Sequence, residues 1–153
     1  MSDLVHGLTQ AELRELKTRV VAAKSVAYCP YSNFHVGAAI LCEDGSWITG
    51  GNVENASYPI STCAERTVIV KAISEGKRKF RALAVATDVS SPASPCGMCR
   101  QAIREFCSLD IPIFMYDKNG EYIVKTLEEL LPMSFGPDTL PPPSELPGYD
   151  GKK

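Results

Sequence analysis

The chain of 153 residues is poor in several things that would each point to a function. It has two histidines and one tryptophan. The histidines, His6 and His35, stand alone in the sequence, and neither falls into a spacing that suits a metal ligand. There is no long apolar run: the best candidate, Val36 to Cys42, is of strand length. A membrane-spanning helix needs about 20 such residues, so no membrane partner is expected. The start, "MSDLVHGLTQAELREL", carries early acids and no apolar signal core, so no secretory signal is expected. Nor is there an excess of one charge, since the net charge is -2. A large polyanion such as duplex nucleic acid is therefore not an expected partner. The basic cluster Lys77-Arg78-Lys79 with Arg81 reads as a solvated loop after a helix.

What the chain does have is cysteine, six in all. An intracellular, cytoplasmic protein is expected, and in a reducing compartment these thiols stay unpaired. Hydrophobic residues at 44% and charged residues at 22% are globular values for one domain with its own core. We read residues 1–135 as that domain and 136–153, with five prolines, as an extended tail. Thr9 to Tyr28 reads as an amphipathic helix opened by a Thr9/Glu12 capping box. Two strands follow in "HVGAAILCEDGSWITGGNV", joined by a turn at Glu43-Asp44-Gly45. Thr62–Glu75 and Gly97–Cys107 read as helices. "FRALAVAT", "IPIFMYD" and "EYIVKT" read as strands, and "LEELL" as a short helix. Strands alternating with helices predict an α/β layered fold with an antiparallel hairpin.

Chemistry concentrates in "TCAERTV" and "PCGMC". Cys63 opens one predicted helix, and Cys96 and Cys99 open another. Helix starts carry partial positive charge and free N–H groups, which favour thiolates. Three thiolates suit zinc and leave a fourth tetrahedral position open. Cys29, Cys42 and Cys107 read instead as small buried apolar residues. Glu65, two residues past Cys63, can reach the open position and carry a proton for a water activated there. Three thiolates leave a net negative site, so Arg66, Arg100 or both are expected to donate hydrogen bonds to the sulfurs.

These motifs resemble a known family. "CAERT" and "SPCGMCRQ", with "YSNFHVGAA", "GGNVENASYP" and "ELLPMSFGP", are similar to the small homotetrameric cytidine deaminases of pyrimidine salvage. The resemblance covers about residues 10–138. It implies a three-layer α/β/α sandwich around a mixed five-stranded sheet, with one zinc ion per subunit. It implies that Cys63, Cys96 and Cys99 hold the zinc and that Glu65 is the general acid and base. Asn52 and Glu54 would hold the ribose hydroxyls and Phe34 would pack on the base. The Ala64 backbone N–H would meet the pyrimidine carbonyl oxygen. Sites would be shared between subunits, with Ala56 and Tyr58 at the contact and Phe135 as an aromatic lid for another chain. The implied reaction is hydrolytic deamination of cytidine and 2′-deoxycytidine. Ser61-Thr62 depart from the family pattern, which often has glycine and a small or apolar residue there.

Three rival readings are weaker. A blasticidin-type deaminase shares the cysteine half, but Asn52 and Glu54 favour a nucleoside. A zinc module for single-stranded RNA would need a basic, aromatic-lined groove. A thiol oxidoreductase built on Cys96 and Cys99 leaves Cys63 and Glu65 without work.

Overall fold

The computed structural model describes residues 4–148. Residues 1–3 and 149–153, the outer ends of the expected domain and tail, lie outside the described residues. Helix α1 spans Gln10–Ala23 and opens on the predicted capping box. Thr9 N–H donates to Glu12 Oε2 at 2.8 Å, and Glu12 N–H donates to Thr9 Oγ1 at 3.2 Å. The helix is shorter than its apolar pattern suggests. It tightens into a single 3-10 turn at Lys24–Val26, and Ala27 is already extended. The end of the helix packs closely on the strand beneath: a Cβ on Gly37 would sit 2.4 Å from the Val20 carbonyl oxygen, so strand and helix end touch backbone to backbone.

Strands β1 (Gly37–Cys42) and β2 (Trp47–Gly51) form the predicted hairpin. Helix α2 runs Ala64–Ser74, strand β3 Phe80–Ala86 and helix α3 Gly97–Phe106. Strands β4 (Pro112–Tyr116) and β5 (Tyr122–Thr126) lead into the one-turn helix α4 (Leu127–Leu130). The five strands make one sheet in the order β2-β1-β3-β4-β5. Only β3 and β4 pair in parallel; the other neighbours are antiparallel. A parallel pair needs a crossover, and α3 supplies it.

Both faces of the sheet are covered, so β1 is buried along its whole length. On one face Ala39, Leu41, Ala82, Ala84, Phe114 and Tyr116 meet Leu16 and Val20 of α1. On the other face Ala38, Ile40, Leu83, Val85 and Ile113 meet Val68, Ile69 and Ala72 of α2 and Ile103 of α3. The two-residue alternation of the strands sorts these side chains. The result is the expected three-layer α/β/α sandwich on a mixed sheet. After Phe135 the described residues, through 148, make only single 3-10 turns, at Pro137–Thr139 and Pro143–Glu145.

Candidate active site

Three segments far apart in sequence meet beyond the end of the hairpin, through a ribbon one residue wide on each. Tyr28 N–H donates to the Asn52 carbonyl at 2.8 Å, and Glu54 N–H donates to the Tyr28 carbonyl at 2.7 Å. Val53 and Thr62 exchange two more backbone bonds, at 2.9 and 2.8 Å. The ribbon registers the 28–36 segment, "NVE" and the start of α2 against one another. Thr62 is therefore strand-like, and α2 begins at Ala64 with Cys63 as its N-cap. Ser61 holds φ -53 and ψ 139, a backbone conformation open to any L-residue, so glycine is not required there. Its Oγ accepts the Asn55 N–H at 3.0 Å.

Cys96 is the N-cap of α3, and Cys99 lies in that helix's first turn. Cys63 Sγ lies 4.0 Å from Cys96 Sγ, and Cys96 Sγ lies 3.6 Å from Cys99 Sγ. All three sulfurs fall within 4.8 Å of one another. Thiolates bound at ~2.3 Å on a tetrahedral zinc lie about 3.8 Å apart, so the spacing fits that ion. The electrostatics agree. Without a cation, three neighbouring sulfurs cannot all carry charge. The hydrogen bond from Cys99, with help from Arg66, pushes the Cys63 thiol down to about 5. The same hydrogen bond to Cys63, together with burial, pushes Cys99 up. Cys63, Cys96 and Cys99 could hold a metal.

Glu65 is 5% exposed in the first turn of α2. Burial pushes its carboxyl above the ordinary range, and the Cys63 charge adds to that. Arg66 Nη2 lies 3.5 Å from Cys63 Sγ and 3.4 Å from the Ser61 carbonyl oxygen. Arg100 behaves differently from the expectation that either arginine could serve the sulfurs. Its guanidinium bonds the Pro95 carbonyl at 2.8 Å, Ser94 Oγ at 2.9 Å and the Leu130 carbonyl at 2.5 Å. It fastens the loop ahead of Cys96, and its recorded partners are all oxygens.

A cavity of about 500 Å³ opens beside this cluster. Phe34, Asn52, Glu54, Cys63, Ala64, Glu65 and Cys96 line it together. Asn52 is also a backbone clamp: Val36 N–H donates to its Oδ1 at 2.9 Å, and its Nδ2 donates to the Phe34 carbonyl at 2.8 Å. Glu54 Oε1 accepts the Tyr31 and Ser32 N–H groups at 3.0 and 3.1 Å. Hydrogen bonds from Ser32 and Tyr31 hold its carboxyl below the usual range. Among the described residues its other oxygen has no hydrogen-bond partner. Ala56, Tyr58 and Phe135 do not line this cavity. Tyr58 instead borders a second hollow of about 390 Å³ with Tyr31, Ser32, Glu54 and Ser61. Phe135 stands 62% exposed.

Several wall residues escaped the sequence reading, Thr87 and Ser94 among them. Thr87 is buried, and its hydroxyl has no hydrogen-bond partner among the described residues. Alternation along β3 from Leu83 through Val85 puts it on the α2/α3 face, a signal available in the sequence. Ser94, in the loop before Cys96, carried no such signal.

The sequence profile of the cytidine and deoxycytidylate deaminase zinc-binding region matches residues 11–115. This chain belongs to the cytidine deaminase family. It is 48% identical over 118 residues to the cytidine deaminase of Sporosarcina psychrophila, covering 77% of this chain and 87% of that relative. Among solved structures, the cytidine deaminase of Burkholderia pseudomallei superposes with a TM-score of 0.78 at 40% identity, over 80% of this chain and 98% of that one. That of Mycobacterium tuberculosis gives a TM-score of 0.71 at 38% identity, over 82% and 98%. Family membership accounts for the mixed sheet, and the three-cysteine cluster suits a zinc-binding deaminase domain.

Proposed function

We propose that this chain catalyses hydrolytic deamination of cytidine and 2′-deoxycytidine to uridine and 2′-deoxyuridine, releasing ammonia. The observation that carries the reading is one cavity holding three clustered thiols, a buried carboxyl at a helix start and the Asn52/Glu54 pair. Zinc held by Cys63, Cys96 and Cys99, one ion per subunit, supplies the Lewis acidity that makes water nucleophilic near neutral pH. Glu65 takes a proton from the attacking water and delivers it to N3 of the pyrimidine. As the water oxygen adds at C4, the ring nitrogen gains the proton it needs to accept electrons. Glu65 then passes the second proton to the exocyclic amine, which leaves as ammonia. Burial raises the pKa of Glu65, which favours its holding a proton between the two transfers.

Asn52 and Glu54 bind the sugar hydroxyls. The unpartnered Glu54 oxygen accepts from a hydroxyl, a chemical match for a ribose diol. Phe34 packs on the base, and the free Ala64 N–H at the start of α2 donates to the pyrimidine carbonyl. Arg66 offsets the thiolate charge. Residues 1–135 form the catalytic unit and 136–153 the tail.

The assembly we propose is a homotetramer with sites completed across subunits through Ala56, Tyr58 and Phe135. Large exposed apolar side chains at Tyr58, Ile60, Val70, Met98, Met133 and Phe135 support it. All six cysteines are free, which suits the reducing cytoplasm and a role in pyrimidine salvage. Among the described residues no helix is long and apolar enough to cross a membrane. The test is zinc content measured together with cytidine loss by absorbance. Stoichiometric zinc with turnover is expected; bound zinc without loss of cytidine or 2′-deoxycytidine would overturn the substrate.

A further inference from the structure

Helix α3 does more than carry two of the three clustered cysteines. Further along, it grips the C-terminal segment. Gln101 Nε2 donates to the Phe135 carbonyl at 3.0 Å. Arg104 Nε donates to Ser134 Oγ at 2.9 Å, and its Nη2 pairs with Asp138. Arg104 is 7% exposed, and a charge so buried is tolerated only when paired. The segment is shaped around it. A Cβ on Gly136 would lie 2.3 Å from Arg104 Cζ, 2.6 Å from Nη2 and 2.7 Å from Nε. Gly136 has φ -154, which any residue adopts, so its need is purely spatial. Thr139 Oγ1 closes the far side by donating to the Gly136 carbonyl at 2.6 Å.

The backbone is therefore tied on both sides of Phe135 while its ring points away from the fold. Met133, next but one, stands fully exposed at φ 52, outside the usual range for its type. An apolar ring held rigidly in the open is set up to meet something else. We propose that Arg104 is a positioning residue: its clasp on Ser134, Gly136 and Asp138 aims Phe135. This rests on the reading of Phe135 as a ring supplied to a neighbouring subunit's cavity. It gives the first residues of the tail a task, since Gly136 and Asp138 lie beyond the catalytic unit's expected end. Ordering the segment beforehand removes an entropic cost that substrate binding would otherwise carry. The effect falls on KM, because Arg104 bonds neither the sulfurs nor Glu65.

The test is a double-mutant cycle on the full chain with Arg104→Gln and Phe135→Ala. Each single variant is expected to raise KM for cytidine at least about fivefold, with kcat and zinc content kept. The double variant is expected to be no worse than Phe135→Ala alone. Hydrogen exchange at Ser134–Thr139 should quicken in Arg104→Gln. Gly136→Ala, which drives a methyl into the guanidinium, should behave like Arg104→Gln. Multiplying effects in the double variant, or an unchanged KM in Arg104→Gln, would overturn the proposal. An unchanged KM in Phe135→Ala would instead refute the role given to that ring, and the proposal with it. If Arg104→Gln does not fold, Asp138→Asn, at an exposed partner, takes its place in the cycle. Wild-type protein without cytidine turnover would sink the function itself before the cycle is read.

Discussion

Arg66 Nη2 lies 3.5 Å from Cys63 Sγ, one helical turn away at the head of α2, while its buried Nε has no hydrogen-bond partner among the described residues. The guanidinium is spent on a sulfur and a carbonyl rather than on a carboxylate. Arg66→Gln is expected to weaken zinc retention about tenfold, the scale of losses when a ligand's outer hydrogen bond is removed. Chelator competition reads this directly. Unchanged retention together with an unchanged rate would remove Arg66 from that role.

Glu65→Gln keeps the shape of the cavity but cannot take a proton. Zinc content and uridine binding are expected to persist while turnover falls by about 10²–10⁴. An absorbance assay at saturating cytidine checks it. Near wild-type rates would mean that another group moves the proton.

Gly37→Ala tests the contact at the end of α1. The added methyl would meet the Val20 carbonyl oxygen at 2.4 Å and the Lys24 nitrogen at 2.7 Å, both backbone atoms that cannot swing aside. A loss of about 1–3 kcal/mol is expected in urea unfolding, the usual cost of overpacking. An unchanged midpoint would show that strand and helix part easily.

Glu12 gives the stability profile an acid limb. Arg81 donates to its two oxygens at 2.6 and 3.1 Å, and these bonds, with the Thr9 N–H, lower its pKa from 4.5. A lowered folded value means the stabilisation is complete above the unfolded value and fades as pH falls through the folded one. Glu12→Gln should therefore be less stable than wild type at pH 7, with the gap closing in acid. Thermal melts across pH 3–7 follow the gap; a constant difference would place its cause elsewhere.

Much of this was legible in the residues. Cys63, Cys96 and Cys99 stand out because helix starts advertise themselves through spacing and because three thiols with one acid have few other uses. The strands were legible as short apolar runs set off by turns, and α1 through its capping box. What stayed hidden depends on direction in space. Arg100 follows Cys99 in sequence, yet one residue along a helix is about 100° around it, and the side chain swings toward Ser94 and Leu130. Arg104 carries no mark in the sequence, since nothing local shows Gly136 to be its cover. The close seat of α1's end depends on a glycine in a different element.

The one-residue ribbon at Tyr28, Val53 and Thr62 has a consequence for how this site can change over time. Its four bonds are all main-chain, so the register between the Asn52/Glu54 pair and the cysteine cluster does not rest on the side chains of Tyr28, Val53 or Thr62. Tyr28 and Val53 turn their side chains largely outward. Substitutions there can reshape the outer surface while the interior keeps its register. Thr62 fits the same logic through its main-chain bonds, and Ser61 reinforces it through its Oγ: an unusual spelling in the sequence that leaves the reaction's measuring stick in place.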